Sequence, residues 1–139
     1  HQPVYNMFNR WIEPDLIPAL RDTGMGCIPF SPLAQGLLSD KYLKGIPEGS
    51  RASKPHGALR PEGVTDEKIA KVRALNELAK GRGQTLAQMA LPWGLRYPEI
   101  TSALIGASRV EQIEDAAGTI RNLSFSADEL NQIEAILAG

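Results

Sequence analysis

The segment Leu104-Ile105-Gly106-Ala107-Ser108-Arg109 gives the strongest indication of the fold. It joins a short apolar, β-branched stretch to the predicted start of a helix through a turn of small residues. The free N–H groups of a helix N-terminus attract phosphate, and Gly106 and Ala107 permit close approach. Ser108 adds a hydroxyl and Arg109 adds a charged fork. The alternative is an ordinary strand-to-helix turn with a surface arginine, which the local residues by themselves favour.

Short apolar stretches and helical patterns alternate along the rest of the chain. Strands are predicted at Gly26–Phe30 and Ile100–Ile105, and a strand end is predicted near Pro3–Phe8. Apolar spacing and start signals predict helices from Ile12 to Leu20, from Thr65 to Gly81 or Gly83, from Thr85 to Tyr97, from Ser108 to Ala117 and from Ser126 to Leu137. Three capping boxes are predicted, formed by Thr85 with Gln88, Ser108 with Glu111 and Ser126 with Glu129. Alternating strands and helices favour a parallel sheet with crossover helices.

A long Gly- and Pro-rich connection, Ser31–Val64, separates the second strand from the next helix. Long loops in compact domains are uncommon and often functional. Leu33, Leu37, Leu38 and Tyr42 are apolar enough to anchor its first part, whereas Ser53–Glu62 is equally compatible with a mobile insertion. Its opening residues, from Phe30 to Gly36, could stack on a flat ring and donate to phosphate, although core packing is the simpler local interpretation. Together with Leu104–Arg109, they are typical of the phosphate-binding loops after strands 7 and 8 of a (β/α)₈ barrel.

Composition excludes several classes of function. The 139 residues carry 42% hydrophobic and 22% charged side chains with a net charge of −1, which offers no electrostatic footprint for nucleic acid or an anionic membrane. No apolar run is long enough to span a bilayer. The single cysteine, Cys27, lies in a predicted strand and is interpreted as an inert core thiol. The two histidines, His1 and His56, are far apart, so no metal site is predicted.

Beyond these patterns, the sequence resembles the aldo-keto reductases from Gln2 to Leu137. The motifs that carry the resemblance are Gln2 with Tyr5-Asn6, Phe30-Ser31-Pro32-Leu33-Ala34-Gln35-Gly36-Leu37-Leu38, Lys41-Tyr42, Gly45-Ile46-Pro47 with Ser50-Arg51, and Leu104-Ile105-Gly106-Ala107-Ser108-Arg109 with Glu111-Gln112. The nearest similarity is to the branch that holds the bacterial glyceraldehyde-3-phosphate reductases and the potassium-channel β-subunits. The resemblance implies an α/β fold: the carboxyl-terminal part of a (β/α)₈ TIM barrel, about strands 6–8 with their helices. Residues 1–139 would be its cofactor-binding portion, and residues 31–64 the loop that wraps the cofactor.

The resemblance also implies a cofactor, NADPH, and a role for each matching position. Gln2 resembles the residue that holds the nicotinamide carboxamide, and Phe30 resembles the aromatic that stacks on the nicotinamide ring. The remaining positions would contact the phosphates, the 2′-phosphate or the adenine, and they are Ser31, Leu33, Gln35, Lys41, Arg51, Gly106, Ser108, Arg109 and Gln112. The family often has Glu-Asn where this chain has Asp115-Ala116, and this departure weakens the adenine contacts expected at those two positions.

Family members reduce aldehydes or ketones by hydride transfer, with a tyrosine, lysine, aspartate and histidine that all precede the position of Gln2. No catalytic residue is therefore assigned in this chain, and the chain alone is expected to be inactive. Its expected partners are a small carbonyl substrate in the full-length protein and the amino-terminal half of the barrel, with a second copy of the chain as a further candidate. A cytoplasmic location is expected. The rival interpretation is a non-catalytic nucleotide-binding regulatory subunit similar to the potassium-channel β-subunits.

Overall fold

The computed structural model describes residues 1–54, 56 and 59–139, so Pro55, Gly57 and Ala58 of the predicted loop lie outside the described residues. The α-helices of the described residues are α1 (Leu16–Thr23), α2 (Asp66–Gly81), α3 (Leu86–Gly94), α4 (Val110–Gly118) and α5 (Ala127–Ala138). Short 3₁₀ turns occupy Ala34–Gly36, Asp40–Tyr42, Arg51–Ser53, Pro61–Gly63 and Thr119–Arg121. None of the helices in this described part of the chain is long and apolar enough to cross a membrane.

The predicted strands are present only as isolated bridges. Within the described ranges no strand is assigned; an antiparallel bridge joins Asn6 to the nearby Asn9, and the parallel bridges pair Val4 with Phe30, Cys27 with Ile100, and Phe30 with Leu104. The segment around Cys27–Phe30 therefore lies between the other two, with its direction parallel to both. The register moves by one residue between its two bridges to the last segment, and the proline at position 29 has no N–H to donate. Both features interrupt a regular ladder, although the parallel order that the sequence predicts is kept.

Most of the described helices begin where the sequence predicts. Thr65 caps α2 by accepting from the Lys68 N–H, and the capping boxes of α3 and α5 are both complete. The helix predicted from Ile12 instead begins at Leu16, which places Pro18 in the first turn, where its missing N–H costs little. Pro18 therefore has no interior hydrogen bond to break in this helix.

The capping box predicted for α4 was wrong. Arg109 is the N-cap residue, and α4 begins one residue later with no capping bond from the Arg109 side chain. The Ser108 N–H and Oγ instead lie 2.8 and 3.3 Å from Gln112 Oε1. The side chain of Gln112 therefore takes over the backbone donor that the predicted box would have left to Glu111.

Pro92 lies inside α3 and leaves the Gln88 carbonyl without its usual backbone donor. Two side chains contact this carbonyl from outside the helix. Gln84 Nε2 donates to it at 3.3 Å, and Thr119 Oγ1 donates at 3.5 Å. The otherwise orphaned acceptor is thus satisfied, which explains how a proline is accommodated in a helix that is almost wholly buried.

The main core joins the helices to one side of the paired segments. It includes Tyr5, Ile17, Leu75, Met89 and Trp93, each at most 2% exposed. A second, smaller cluster holds the long connection and consists of Leu37, Tyr42, Ala52 and Leu59. The predicted anchoring by Leu37, Leu38 and Tyr42 is confirmed, because all three side chains are buried. Burial of such apolar area is the main force that keeps this part of the connection folded.

Candidate functional site

The paired segments leave one face open. Cys27 and Pro29 point to the buried side, whereas Ile28 and Phe30 alternate to the opposite side and are 42% and 40% exposed. Leu104, which is bridged to Phe30, is also exposed. The predicted burial of the Cys27 thiol is confirmed, and burial raises the pKa of that thiol. Phe30 therefore presents an accessible ring at the end of its segment instead of serving as core.

The backbone turns sharply after Phe30. Ser31, Ala34 and Gln35 have φ values of 55°, 48° and 60°, in the left-handed region that side chains other than glycine rarely adopt. Strain of this kind persists only where surrounding contacts hold it, and it concentrates at ligand sites. Gln35 Nε2 donates to Ser31 Oγ at 2.8 Å, while Leu33 packs against the main core. The hydrogen bond between Gln35 and Ser31 and the packing of Leu33 together hold the turn in one conformation.

Arg51 connects this turn to the segment after Leu104. Its guanidinium donates to Gln35 Oε1. A Cβ atom added at Gly106 would lie 4.0 Å from Arg51 Nη2, so this guanidinium lies beside the glycine turn. The two candidate phosphate-binding stretches, separated by about 70 residues in sequence, thus meet at one arginine. An exposed guanidinium in this position can bind an anion with a bidentate pair of hydrogen bonds.

The start of α4 groups three more predicted residues. Ser108, Arg109 and Gln112 are exposed and belong to the first turn of the helix or precede it. The positive end of the helix dipole and the Arg109 guanidinium both favour a negative group here. Gln112 is already engaged by Ser108, so a ligand would have to share or displace that hydrogen bond.

Two predicted residues lie at the edge of this arrangement. Gln2 is exposed and precedes Pro3, whose carbonyl accepts from the Phe30 N–H at 2.9 Å. This contact places Gln2 beside the Phe30 segment. Lys41 is exposed, and its contacts are with neighbours: its N–H donates to Ser39 Oγ, and its Nζ lies 6.0 Å from the Tyr42 ring centroid. No contact in the described residues links Lys41 to Arg51 or Gly106. Its predicted contact with the phosphates therefore requires its long side chain to extend towards them.

Asp115, one of the two positions where the sequence departs from the family, has partners within the protein. Its carboxylate accepts from Thr85 Oγ1 at 3.2 Å and from Gln88 Nε2 at 2.9 Å. A Cβ at Gly118 would lie 2.6 Å from Gln88 Nε2, so the glycine permits α3 and α4 to approach this closely. Asp115 therefore fixes α4 on α3, and its carboxylate is directed to the helix contact.

A network of charged and aromatic side chains includes Tyr5 of the first bridged segment and helps to hold that segment in place. Glu13 accepts from Tyr5 Oη, Arg10 Nη2 and Arg96 Nη2, each at 2.7 Å. Arg96 stacks 3.6 Å from the Trp93 ring centroid. Burial raises the pKa of Tyr5. Burial also opposes ionisation of Glu13, but hydrogen bonds from Arg10, Tyr5 and Arg96 overcome it and hold the pKa of that carboxyl below its usual range.

Asn6 is a residue of this region to which the sequence assigned no role. Its side chain is 4% exposed, and its Nδ2 donates to the Ser31 carbonyl at 2.9 Å. The Tyr5-Asn6 pair stands out in the sequence only as part of a family motif. The contact joins residues 25 positions apart, so no local pattern reveals it.

The class of protein follows from comparison with known sequences. The aldo/keto reductase family profile matches residues 1–138, so the chain belongs to this family. L-glyceraldehyde 3-phosphate reductase of Escherichia coli (strain K12) is 48% identical over 142 residues, which cover 99% of this chain and 41% of that protein. A Schizosaccharomyces pombe protein assigned as a voltage-gated potassium channel subunit beta is 37% identical over 143 residues, covering 98% of this chain and 41% of the relative. The predicted family and branch are confirmed by these relatives.

A solved structure shares the same arrangement of the backbone. Glycerol dehydrogenase of Gluconobacter oxydans superposes with a TM-score of 0.76 at 25% identity, covering 99% of this chain and 41% of that one. The chain thus spans about two fifths of the length of these relatives.

Proposed function

We propose that this chain is the NADPH-binding portion of an aldo-keto reductase that reduces aldehydes or ketones to alcohols. In this proposal residues 1–139 belong to one (β/α)₈ barrel, from about its sixth strand to its eighth with their helices. Residues 31–64 are the loop that wraps the cofactor. The parallel order of the three bridged segments supports this topology, because parallel neighbours joined by helices are the repeating unit of such barrels.

The meeting of Arg51 with Gly106 carries the proposal. Two loops that each have an ordinary local interpretation converge on one exposed guanidinium, beside a helix start that bears Ser108 and Arg109. Convergence of a glycine turn, a helix N-terminus and a cation suits a phosphate group. This set of donors fits a dinucleotide with phosphates at two places.

The proposed roles follow the positions of the side chains. Phe30 offers the nicotinamide ring an exposed face, and Gln2 reaches its carboxamide from the neighbouring segment. Ser31, Leu33, Gln35, Lys41, Arg51 and Gly106 surround the pyrophosphate, and Ser108, Arg109 and Gln112 bind the 2′-phosphate and the adenine. When bound, the cofactor supplies the hydride that reduces the carbonyl carbon of the substrate. These chain residues hold and orient it and take no part in proton transfer.

The proton donor and its partners are proposed to lie outside residues 1–139, because the family's tyrosine, lysine, aspartate and histidine precede Gln2. The exposed side chains of Ile28 and Leu104 support this view, since an exposed apolar face needs a cover. In the proposal the rest of the barrel covers it, and the chain by itself has no reductase activity. Turnover of glyceraldehyde or methylglyoxal by the pure, tag-free chain would overturn this part.

A regulatory, non-catalytic nucleotide-binding subunit is the second candidate. It is favoured by the relative assigned as a potassium channel subunit beta, which matches nearly the whole chain. Both candidates require the same cofactor site. A catalytic tyrosine and lysine in the polypeptide upstream of His1 would favour the reductase, and their replacement would favour the regulator.

Calorimetric titration of NADPH into the protein tests the shared site. Loss of one charge-assisted contact costs about 1.5–3 kcal/mol, so Arg51→Ala should weaken binding about tenfold to a hundredfold. Arg60→Ala, which removes an exposed arginine from the same connection, is the matched control and should change the Kd less than about twofold. Equal Kd values for wild type and Arg51→Ala would contradict the proposed site.

A further inference from the structure

The turn after Phe30 is held in a conformation that its own residues disfavour. Ser31, Ala34 and Gln35 each have positive φ values, and a left-handed residue with a side chain costs about 1–2 kcal/mol. The loop would relax if nothing fixed it. Its first strained residue, Ser31, directly follows the aromatic ring of Phe30, so relaxation there would move both the ring and the Ser31 hydroxyl.

Asn6 fixes this first strained residue from the neighbouring segment. Its Nδ2 donates to the Ser31 carbonyl at 2.9 Å, and its Oδ1 accepts from the Phe8 N–H at 3.0 Å. The second contact orients the amide, so that the Nδ2 group faces Ser31. The preceding residue, Tyr5, donates its N–H to the Phe30 carbonyl at 3.3 Å. Two successive residues therefore hold the two successive carbonyls at the start of the turn.

The Ser31 carbonyl links the turn to the neighbouring segment. It accepts from Asn6 Nδ2 and from the Ala34 N–H, the latter at 3.0 Å, so both of its lone pairs are used. The Asn6 amide is almost fully buried, and a buried donor left without its partner carries a desolvation penalty. Release of Ser31 would thus leave Asn6 unsatisfied, which couples the conformation of the turn to the interior of the protein.

We propose that Asn6 is a positioning residue that holds Ser31 in the left-handed conformation and thereby presents Phe30 and the turn to the cofactor. The proposal rests on the proposed function for its cofactor, while the holding of Ser31 stands on the geometry alone. Asn6 acts through Ser31 and is not itself placed in contact with the cofactor. Preorganisation of this kind improves affinity because less of the unbound population is in an incompetent conformation.

Hydrogen exchange of the chain without any cofactor is the first test. Asn6→Asp keeps the acceptor for the Phe8 N–H and replaces the donor to Ser31 with a carboxylate oxygen. We expect exchange in residues 31–38 to rise about fivefold to tenfold, the equivalent of one hydrogen bond, with α2 unchanged as internal reference. Asn9→Ala is the matched control, because the described hydrogen bonds of Asn9 are made by its backbone. Unchanged exchange in residues 31–38 of Asn6→Asp would overturn the proposal.

Titration with NADPH in a double-mutant cycle is the second test. Asn6→Ala should weaken binding about fivefold to tenfold in the wild-type background. In a Ser31→Gly background the loss of NADPH binding free energy caused by Asn6→Ala should be at most half as large, because glycine adopts a positive φ without a Cβ penalty. An equal loss in both backgrounds would indicate that Asn6 acts only on general stability and would overturn the proposal. Exchange that responds to Asn6→Asp in a chain that binds no NADPH would overturn the proposed function and leave the holding of Ser31 supported.

Discussion

Replacement of Glu13 by glutamine is expected to be the most damaging isosteric change in the described network. Glu13 joins Tyr5, Arg10 and Arg96 through hydrogen bonds of 2.7 Å, and the side chains of Glu13 and Arg96 are only 16% and 15% exposed. Glutamine keeps one carbonyl acceptor, but within the described residues it leaves Arg96 without a counter-charge and Arg10 with that of Glu134 alone. The cost of breaking a buried pair is about 3–5 kcal/mol, and an exposed pair is worth about 0–1 kcal/mol. For this partly buried position we expect a loss of about 2–3 kcal/mol.

Urea denaturation at neutral and acidic pH measures this effect. The pKa of Glu13 is held below its ordinary value of 4.5 in the folded chain, so its contribution is fully present above that pH. It is lost as the pH falls through the lower, folded pKa. The difference in unfolding free energy between wild type and Glu13→Gln should therefore be largest near pH 7 and shrink towards pH 3.

Glu134→Gln is the matched control for Glu13→Gln. Glu134 pairs with the same Arg10 but is 48% exposed, so its replacement should cost less than about 1 kcal/mol. A loss below about 0.5 kcal/mol for Glu13→Gln, or a difference that widens on acidification, would refute the account of this network.

Two further predictions concern the contacts made by Gln88 of α3. Gly118→Ala should destabilise the protein by about 1–2 kcal/mol in urea denaturation, because its Cβ would displace the Gln88 side chain from its capping and interhelical contacts. Gly81→Ala, with no atom within 4 Å of the added Cβ, should change stability by less than about 0.5 kcal/mol, and equal losses for both would contradict the reasoning. Gln84→Ala should cost about 1–3 kcal/mol by thermal or urea unfolding, because Pro92 leaves the Gln88 carbonyl dependent on side-chain donors. A neutral result would contradict this account of the Gln88 carbonyl.

Local signals in the sequence predict the features that depend on a few neighbouring residues. The boxes of Thr85 with Gln88 and of Ser126 with Glu129 form as predicted, because both partners lie in the same turn. The same pattern at Ser108 fails because Gln112, one position beyond Glu111, competes for the Ser108 N–H. A local pattern predicts which donors need partners, but it does not decide between two acceptors that are both within reach.

Contacts between distant segments lie beyond such patterns. The single bridges in place of strands depend on the register between segments about 70 residues apart, as in Cys27 with Ile100. The approach of Arg51 to Gly106 likewise depends on the path of the whole connection. The sequence predicts that both sites could bind phosphate, and only their meeting in space favours a shared site over two ordinary turns.

Discrimination between NADPH and NADH tests the central claim most directly. If Ser108 and Arg109 bind the 2′-phosphate, the protein should bind NADPH more tightly than NADH by about tenfold or more, the value of one charge-assisted contact. Arg109→Ala should remove most of that preference by weakening NADPH binding, and it should leave the Kd of NADH within about twofold. Equal affinity of the unmodified protein for both cofactors, or a preference that survives Arg109→Ala unchanged, would contradict the account.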